Sequence, residues 1–215
     1  MSKKIEIFEK ILDKNEQLAA ELNAQLSAQN IFFINVLGSP GAGKTTLLLG
    51  LLPLLNEPSF VIEGDIQSDI DAVKLSQAGI GAVQINTGGA CHLETPQIKA
   101  VLPQDLQGYL FVENIGNLVC PAEFLIGEHH KLLLATVTEG SDKPYKYPLA
   151  FEKADIILLN KTDLLPYLDF DIDFFTEGVR KLNPTAPIIK VCGKTGAGFK
   201  EVAYWITQKK LQSKL

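Results

Sequence analysis

The segment 31-IFFINVLGSPGAGKT-45 constrains the fold of this chain more than any other. Its first eight residues form an apolar run closed by a glycine. A run of that kind predicts a strand buried on both faces. It leads directly into G-x-x-x-x-G-K-S/T, with Gly38, Gly43, Lys44 and Thr45 at the fixed positions. Glycines at 38, 41 and 43 let the backbone curl until its N–H groups point at phosphate oxygens. The helix expected next adds a positive N-terminal end. The nucleotide-contacting stretch is therefore read as Gly38, Gly41, Ala42, Gly43, Lys44, Thr45 and Thr46. Lys44 is placed on the β- and γ-phosphates and the Thr45 hydroxyl on Mg²⁺. This motif calls for a nucleoside triphosphate but leaves the base open.

The alternation of strand and helix continues along the chain. Strands are expected near 59–63, 80–85, 108–113, 131–138, 155–160 and 187–192, and helices near 44–55, 68–78, 94–102, 145–152, 170–182 and 198–211. Strands alternating with helices imply right-handed crossovers and a mostly parallel sheet covered on both faces. The expected class is α/β, the three-layer P-loop NTPase fold. Before the first strand, Ile5, Phe8, Ile11, Leu12, Leu18, Leu22 and Leu26 recur at helical spacing over residues 4–29. No linker or repeat interrupts the pattern. Residues 1–215 are expected as one domain, with an amphipathic helix in 1–30 packed on it.

Composition narrows the partners. A net charge of -5 argues against a nucleic-acid protein that works by a basic surface. No apolar run approaches the roughly 18–20 residues of a membrane span. The first residues carry charges throughout and no signal-peptide core, so a cytoplasmic location is expected. Three cysteines, at 91, 120 and 192, point to metal, redox or packing roles rather than a disulfide framework.

The base follows from 160-NKTD-163, at the carboxyl end of a predicted strand. The Asp163 carboxylate can accept from both N1–H and N2–H₂ of guanine. Adenine offers neither donor, and the carboxylate would be left unpaired. Asn160 is expected to brace the loop and Lys161 to lay its stem along the base. A second guanine loop is read at 191-VCGKTG-196, through Cys192, Gly193 and Lys194, with Cys192 itself packing. The carboxylate on Mg²⁺ is expected in 63-EGDIQSDID-71, at Asp65. The segment 113-ENIG-116 supplies Gly116, whose N–H can bond a γ-phosphate only while one exists. Glu113 is left with two roles, orienting water or acting on Mg²⁺ from behind its direct ligands.

Cys91 and His92 follow a predicted strand and the flexible 87-TGG-89, and Cys120 stands four residues past Gly116. Both positions fall at strand carboxyl ends, where open parallel sheets bind ligands. Two thiolates and an imidazole suit Zn²⁺ or Ni²⁺ rather than Mg²⁺. A fourth ligand would come from water, Glu94 or a second chain across a two-fold axis. The structural alternative is plain packing, since adjacent Cys-His is not a usual chelate spacing. His129 and His130 are read as a strand entrance.

Taken together, GSPGAGKTTLL, EGDIQSDIDA, QINTGGACHLE, VENIGNLVCPAEFLIGE, VTEGSDKPYKYP and LLNKTDLLPY resemble the HypB family of hydrogenase-maturation nickel-insertion GTPases, in the SIMIBI class. That resemblance implies GTP hydrolysis to GDP and nickel transfer toward the large subunit of nickel–iron hydrogenase. It implies Cys91, His92 and Cys120 as the metal ligands, a homodimer promoted by GTP and metal, and the nickel-binding accessory protein HypA as partner. The chain lacks the cysteine-rich motif or histidine tract that some members carry at the N-terminus, so nickel is expected from a partner rather than from storage. Lys143 and Lys146 are read either as contacts to nucleotide or a partner, or as solvated charge. Competing readings are a urease-type accessory GTPase, a GTP-bound interaction module without metal, and a small-molecule kinase. The NKTD run and the lack of a lid argue against the last.

Overall fold

A computed structural model of the protein describes residues 2–65 and 70–213, with side chains over 14–64 and 70–213. In chain order, α1 (Ser2–Ala28) leads into β1 (Phe32–Gly38), α2 (Lys44–Leu51), β2 (Ser59–Asp65), α3 (Ile70–Gln77), β3 (Gly81–Asn86) and α4 (Thr95–Val101). Then come β4 (Tyr109–Glu113), α5 (Cys120–Glu123), β5 (His130–Thr136), α6 (Lys143–Lys146), α7 (Pro148–Lys153), β6 (Ile156–Asn160), α8 (Ile172–Leu182), β7 (Ile188–Lys190) and α9 (Phe199–Gln212). The seven strands form one sheet, ordered β3-β2-β4-β1-β5-β6-β7. Every pairing is parallel, so the mostly parallel expectation resolves into an all-parallel sheet. β1 lies between β4 and β5, where the order of winding reverses. That switch point opens a crevice at the strand carboxyl ends, and the glycine loop sits in it.

Two expected helices are altered by proline. The helix expected over 44–55 ends at Leu51, and Leu52–Leu54 continue as a tighter turn around Pro53. The helix expected over 145–152 divides into α6 and α7 at Tyr147, whose φ of -128° and ψ of 55° are not helical. Pro148 follows, and a proline disfavours helical backbone in the residue before it. The short α5 was not expected from sequence.

Alternation along the strands sorts the core. Ile34, Val36, Val61 and Phe111 face Leu47, Leu48 and Leu51 of α2 and Val202 and Ile206 of α9. On the other face, Phe33, Ile62 and Leu110 pack under Leu22 and Leu26 of α1. Leu133, Ile157 and Leu159 on that face pack under α7 and α8. Ile5, Phe8, Ile11 and Leu12 lie outside the described side chains. No helix among the described residues is long and apolar enough to cross a membrane.

A buried polar seam divides that second face. Asn35 on β1 stands beside Lys131 on β5 in register. Asn35 Nδ2 donates to Glu128 Oε1 at 3.3 Å, and Lys131 Nζ pairs with the same oxygen at 3.5 Å. Lys131 also donates to the Ala122 carbonyl in α5, and Ile126 N donates to Glu128 Oε2. Asn35 Oδ1 accepts from Asn114 Nδ2 at 3.2 Å. Buried charges are tolerable only when paired and hydrogen-bonded in this way. Asn35→Ala would strip partners from both Asn114 and Glu128. It is expected to cost about 2–4 kcal/mol in urea unfolding. A cost under about 1 kcal/mol would mean that the seam is not a structural element.

Candidate nucleotide and metal site

A cavity of about 520 Å³ lies at the switch point, lined by the phosphate loop together with Glu63, Asp71, Lys74, Glu113, Asn114 and Gly116. The loop needs its glycines. Gly41 and Gly43 hold φ of 73° and 96°, and a Cβ on Gly43 would stand 2.8 Å from Asn160 Nδ2. Ala42 is buried beneath the loop and Thr46 is exposed above it. Lys44 is buried, with Nζ donating to the carbonyls of Gly38 and Ser39 at 3.3 and 3.4 Å. It lies 3.8 Å from Glu113 Oε1. Thr45 Oγ1 donates to that same oxygen at 3.3 Å. Lys44, Thr45 and Glu113 thus meet at one point.

Glu63, which the sequence pattern shows only as the end of a strand, belongs to this cluster. It stands in register with Glu113 across β2 and β4. Both carboxyls are buried, and Glu63 Oε1 and Glu113 Oε2 have no hydrogen-bond partner. Burial first, then the neighbouring Glu113 carboxylate, pushes Glu63 up to about 10. Burial also raises Glu113, against the pull of Lys44. One carboxyl of the pair therefore keeps a proton that the unfolded chain would release. Asp65 closes β2, and its side chain lies outside the described residues, as does Asp69. Asp71 faces the cavity and pairs with Lys74 at 2.7 Å.

The two base loops are joined to the phosphate loop by one amide. Asn160 Nδ2 donates to the Ala42 carbonyl at 2.8 Å, and its Oδ1 accepts from Gly193 N at 3.0 Å. The Gly193 N–H is therefore engaged within the protein. Lys161, at φ 59°, sends Nζ to the Gly41 carbonyl at 2.7 Å. Asp163 is exposed, and Cys192, buried as expected, donates its thiol to Asp163 Oδ1 at 3.2 Å. Lys194 is exposed beside them.

Cys91, His92 and Cys120 come together, their ligand atoms all within 4.8 Å of one another. A tetrahedral ion with bonds of about 2.0–2.3 Å holds its ligands roughly 3.3–3.8 Å apart, so a small side-chain movement would seat one. The Cys120 thiol, hydrogen-bonded to Cys91, pushes the Cys91 thiol up, and burial lowers His92. Phe124, another residue not singled out in the sequence, stacks on the His92 ring at 4.2 Å and 6°. Glu94 is not a fourth ligand here. Its carboxylate accepts from the Gln97 N–H in the capping box that starts α4. A second cavity, of about 440 Å³, opens on Cys91 and shares Pro40, Ile115 and Gly116 with the first.

Other candidates stand apart. His129 and His130 lie at the start of β5, at the opposite end of the sheet, where Phe33 N donates to His129 Nδ1. Lys146 pairs with Asp142, and Lys143 lies over the Tyr147 ring at 5.5 Å.

Residues 32–190 match the model of the CobW/HypB/UreG nucleotide-binding domain. The hydrogenase maturation factor HypB of Azotobacter vinelandii is 47% identical over 214 residues, 97% of this chain and 71% of that protein. The crystal structure of HypB from Helicobacter pylori in complex with nickel superposes with a TM-score of 0.89 at 34% identity, covering 93% of this chain and 96% of that one. HypB from Archaeoglobus fulgidus gives 0.85 at 32% identity, over 93% of this chain and all of that one.

The carboxyl pair generates a pH prediction. A folded-state value raised above the unfolded one contributes stability below about 4.5, which is lost as pH rises toward about 10. Urea unfolding of the nucleotide-free protein at several pH values between 6 and 9 is expected to show stability falling with pH. Glu63→Gln is expected to flatten that fall. Parallel slopes for the two proteins would refute the shared proton.

Proposed function

Because the chain belongs to the CobW/HypB/UreG family, on its HypB branch, we propose that it is a GTP-hydrolysing metallochaperone that delivers nickel during maturation of nickel–iron hydrogenase. The observation that carries this reading is a shared wall. Pro40, Ile115 and Gly116 line both the phosphate cavity and the cleft that opens on Cys91. A change at the γ-phosphate is thus one residue layer from the soft-ligand cluster.

In this reading guanine is selected by the Asp163 carboxylate, which is held from behind by the Cys192 thiol. The phosphates enter the glycine loop and draw Lys44 from its carbonyl contacts. The Thr45 hydroxyl and the unpaired Oε2 of Glu113 are hard oxygen donors, a chemistry that fits Mg²⁺. Thr45 and Asp65 would hold Mg²⁺ directly or through water, and the ion would neutralise charge on the β- and γ-phosphates. Glu113, beside Thr45 and Lys44, would orient the attacking water or support the ligands of Mg²⁺. Gly116 donates to the γ-phosphate before hydrolysis and is released after it, which loosens the metal loop. Nickel is the cargo, held by Cys91, His92 and Cys120, with remaining ligands from water or a second copy. A homodimer promoted by GTP and metal, HypA as nickel donor and the hydrogenase large subunit as recipient complete the proposal.

Two measurements test it. A Ni²⁺ titration of GTP-analogue-loaded protein is expected to give a saturating thiolate-to-nickel absorption band, absent in Cys91→Ala and Cys120→Ala. A band of unchanged strength in both variants would exclude the triad as the cargo site. For the base, Asp163→Asn replaces the paired acceptor with an amide. GTP affinity is expected to fall by at least about 100-fold relative to XTP. Equal losses for both nucleotides would remove Asp163 from base recognition.

A further inference from the structure

Asn117 touches the phosphate loop and both thiol-bearing segments at once. Its backbone forms an antiparallel bridge with Gly38, the first residue of the glycine loop. Its Nδ2 donates to the Cys91 carbonyl at 3.2 Å, and its Oδ1 accepts from Val119 N at 2.7 Å. Val119 caps the start of α5, so this second bond fixes the backbone just before Cys120. Gly116, immediately before Asn117, is seated on the phosphate loop. A Cβ there would stand 2.9 Å from Pro40 N. A shift of the loop at Gly116 must therefore move Asn117, and with it the backbone of two of the three soft ligands.

The neighbouring Asn114 does not do this. It is buried, its Nδ2 is tied to Asn35 in the sheet, and its Oδ1 accepts from Leu93 N and Ile115 N. It anchors the segment after His92 to β1, upstream of the glycine that would sense phosphate. We infer that Asn117 is the positioning residue that transmits nucleotide state to the Cys91, His92 and Cys120 ligand set. The inference rests on the nickel-GTPase reading above and names the residue through which its coupling runs.

The test is a set of Ni²⁺ titrations on the full chain, loaded either with GDP or with a non-hydrolysable GTP analogue. Wild type, Asn117→Ala and Asn117→Asp are compared. Aspartate keeps an acceptor for Val119 N and lacks the donor to the Cys91 carbonyl. Its charge alters absolute affinity in both nucleotide states, so the readout is the ratio between them, which a merely structural role would not move. The wild-type ratio is expected in the range of roughly 5–150-fold, and both variants within about twofold of unity. Loss of the ratio in alanine alone supports the inference and assigns transmission to the Val119 bond. A wild-type ratio in both variants overturns the inference and leaves the nickel GTPase standing. A ratio of one in the wild type overturns it together with the coupled reading. If Asn117→Ala binds no Ni²⁺ in either state, Asn117→Leu, which fills the space and lacks both bonds, takes its place: a ratio near one supports the inference, and an unchanged ratio overturns it.

Discussion

Asn114 makes four hydrogen bonds inside the protein, and the geometry of both candidate sites depends on them. Its backbone N–H reaches the Val36 carbonyl and its amide nitrogen reaches Asn35, so the end of β4 is locked to β1. Its amide oxygen takes the N–H groups of Ile115 and Leu93. One buried side chain thereby fixes where the phosphate-facing segment departs and where the Cys91–His92 loop returns. Unpaired, the same groups would cost more than they now contribute, which gives the arrangement a single solution. The seam continues through Asn35, Glu128 and Lys131 to the Ala122 carbonyl in α5. The third soft ligand, Cys120, is thus referred to the same part of the sheet as the other two.

The nucleotide loops use the same device on the other side of β1. Asn160 spends its amide nitrogen on Ala42 and its oxygen on Gly193, and Lys161 reaches Gly41. Phosphate loop and base loops are therefore one preorganised body before any nucleotide arrives, which lowers the ordering cost of binding. The exception is Lys44, whose charge rests on two carbonyls and near Glu113. These contacts are longer than strong charge-assisted bonds, so phosphate oxygens can displace them.

The sequence made the sheet legible because an all-parallel sheet is buried on both faces, and each strand reads as a continuous apolar run. All seven were found, with the glycine loop, NKTD and the Cys-His-Cys cluster placed at their carboxyl ends. What escaped was of two kinds. Glu63 is a lone charge at the end of an apolar run, and only the β2–β4 register brings it beside Glu113. Asn114 stands inside, and Asn117 just after, a motif whose visible letters are Glu113 and Gly116. Beside the local bonds to Ile115 and Val119, their roles rest on partners 21 to 79 residues away, which no local pattern encodes. Phe124 is unremarkable in sequence because only the tertiary fold brings its ring onto His92.

The cluster's construction bears on whether it holds metal permanently. Structural zinc sites are closed, with four protein ligands fixed by surrounding fold. Among the described residues this cluster offers three, since the Glu94 carboxylate is engaged at the start of α4. Cys91 is exposed on a loop that carries Gly88 and Gly89 at positive φ, and Cys120 begins a helix of four residues. Such segments belong to the low-stability end of a fold, where local opening is cheap. The Phe124 stack and the two side-chain bonds of Asn117 add to the buried neighbours Leu93 and Ala122 in setting where the three side chains stand. On the proposed reading, a site built this way would suit an ion that must leave, since three protein ligands would leave a position for a receiving ligand.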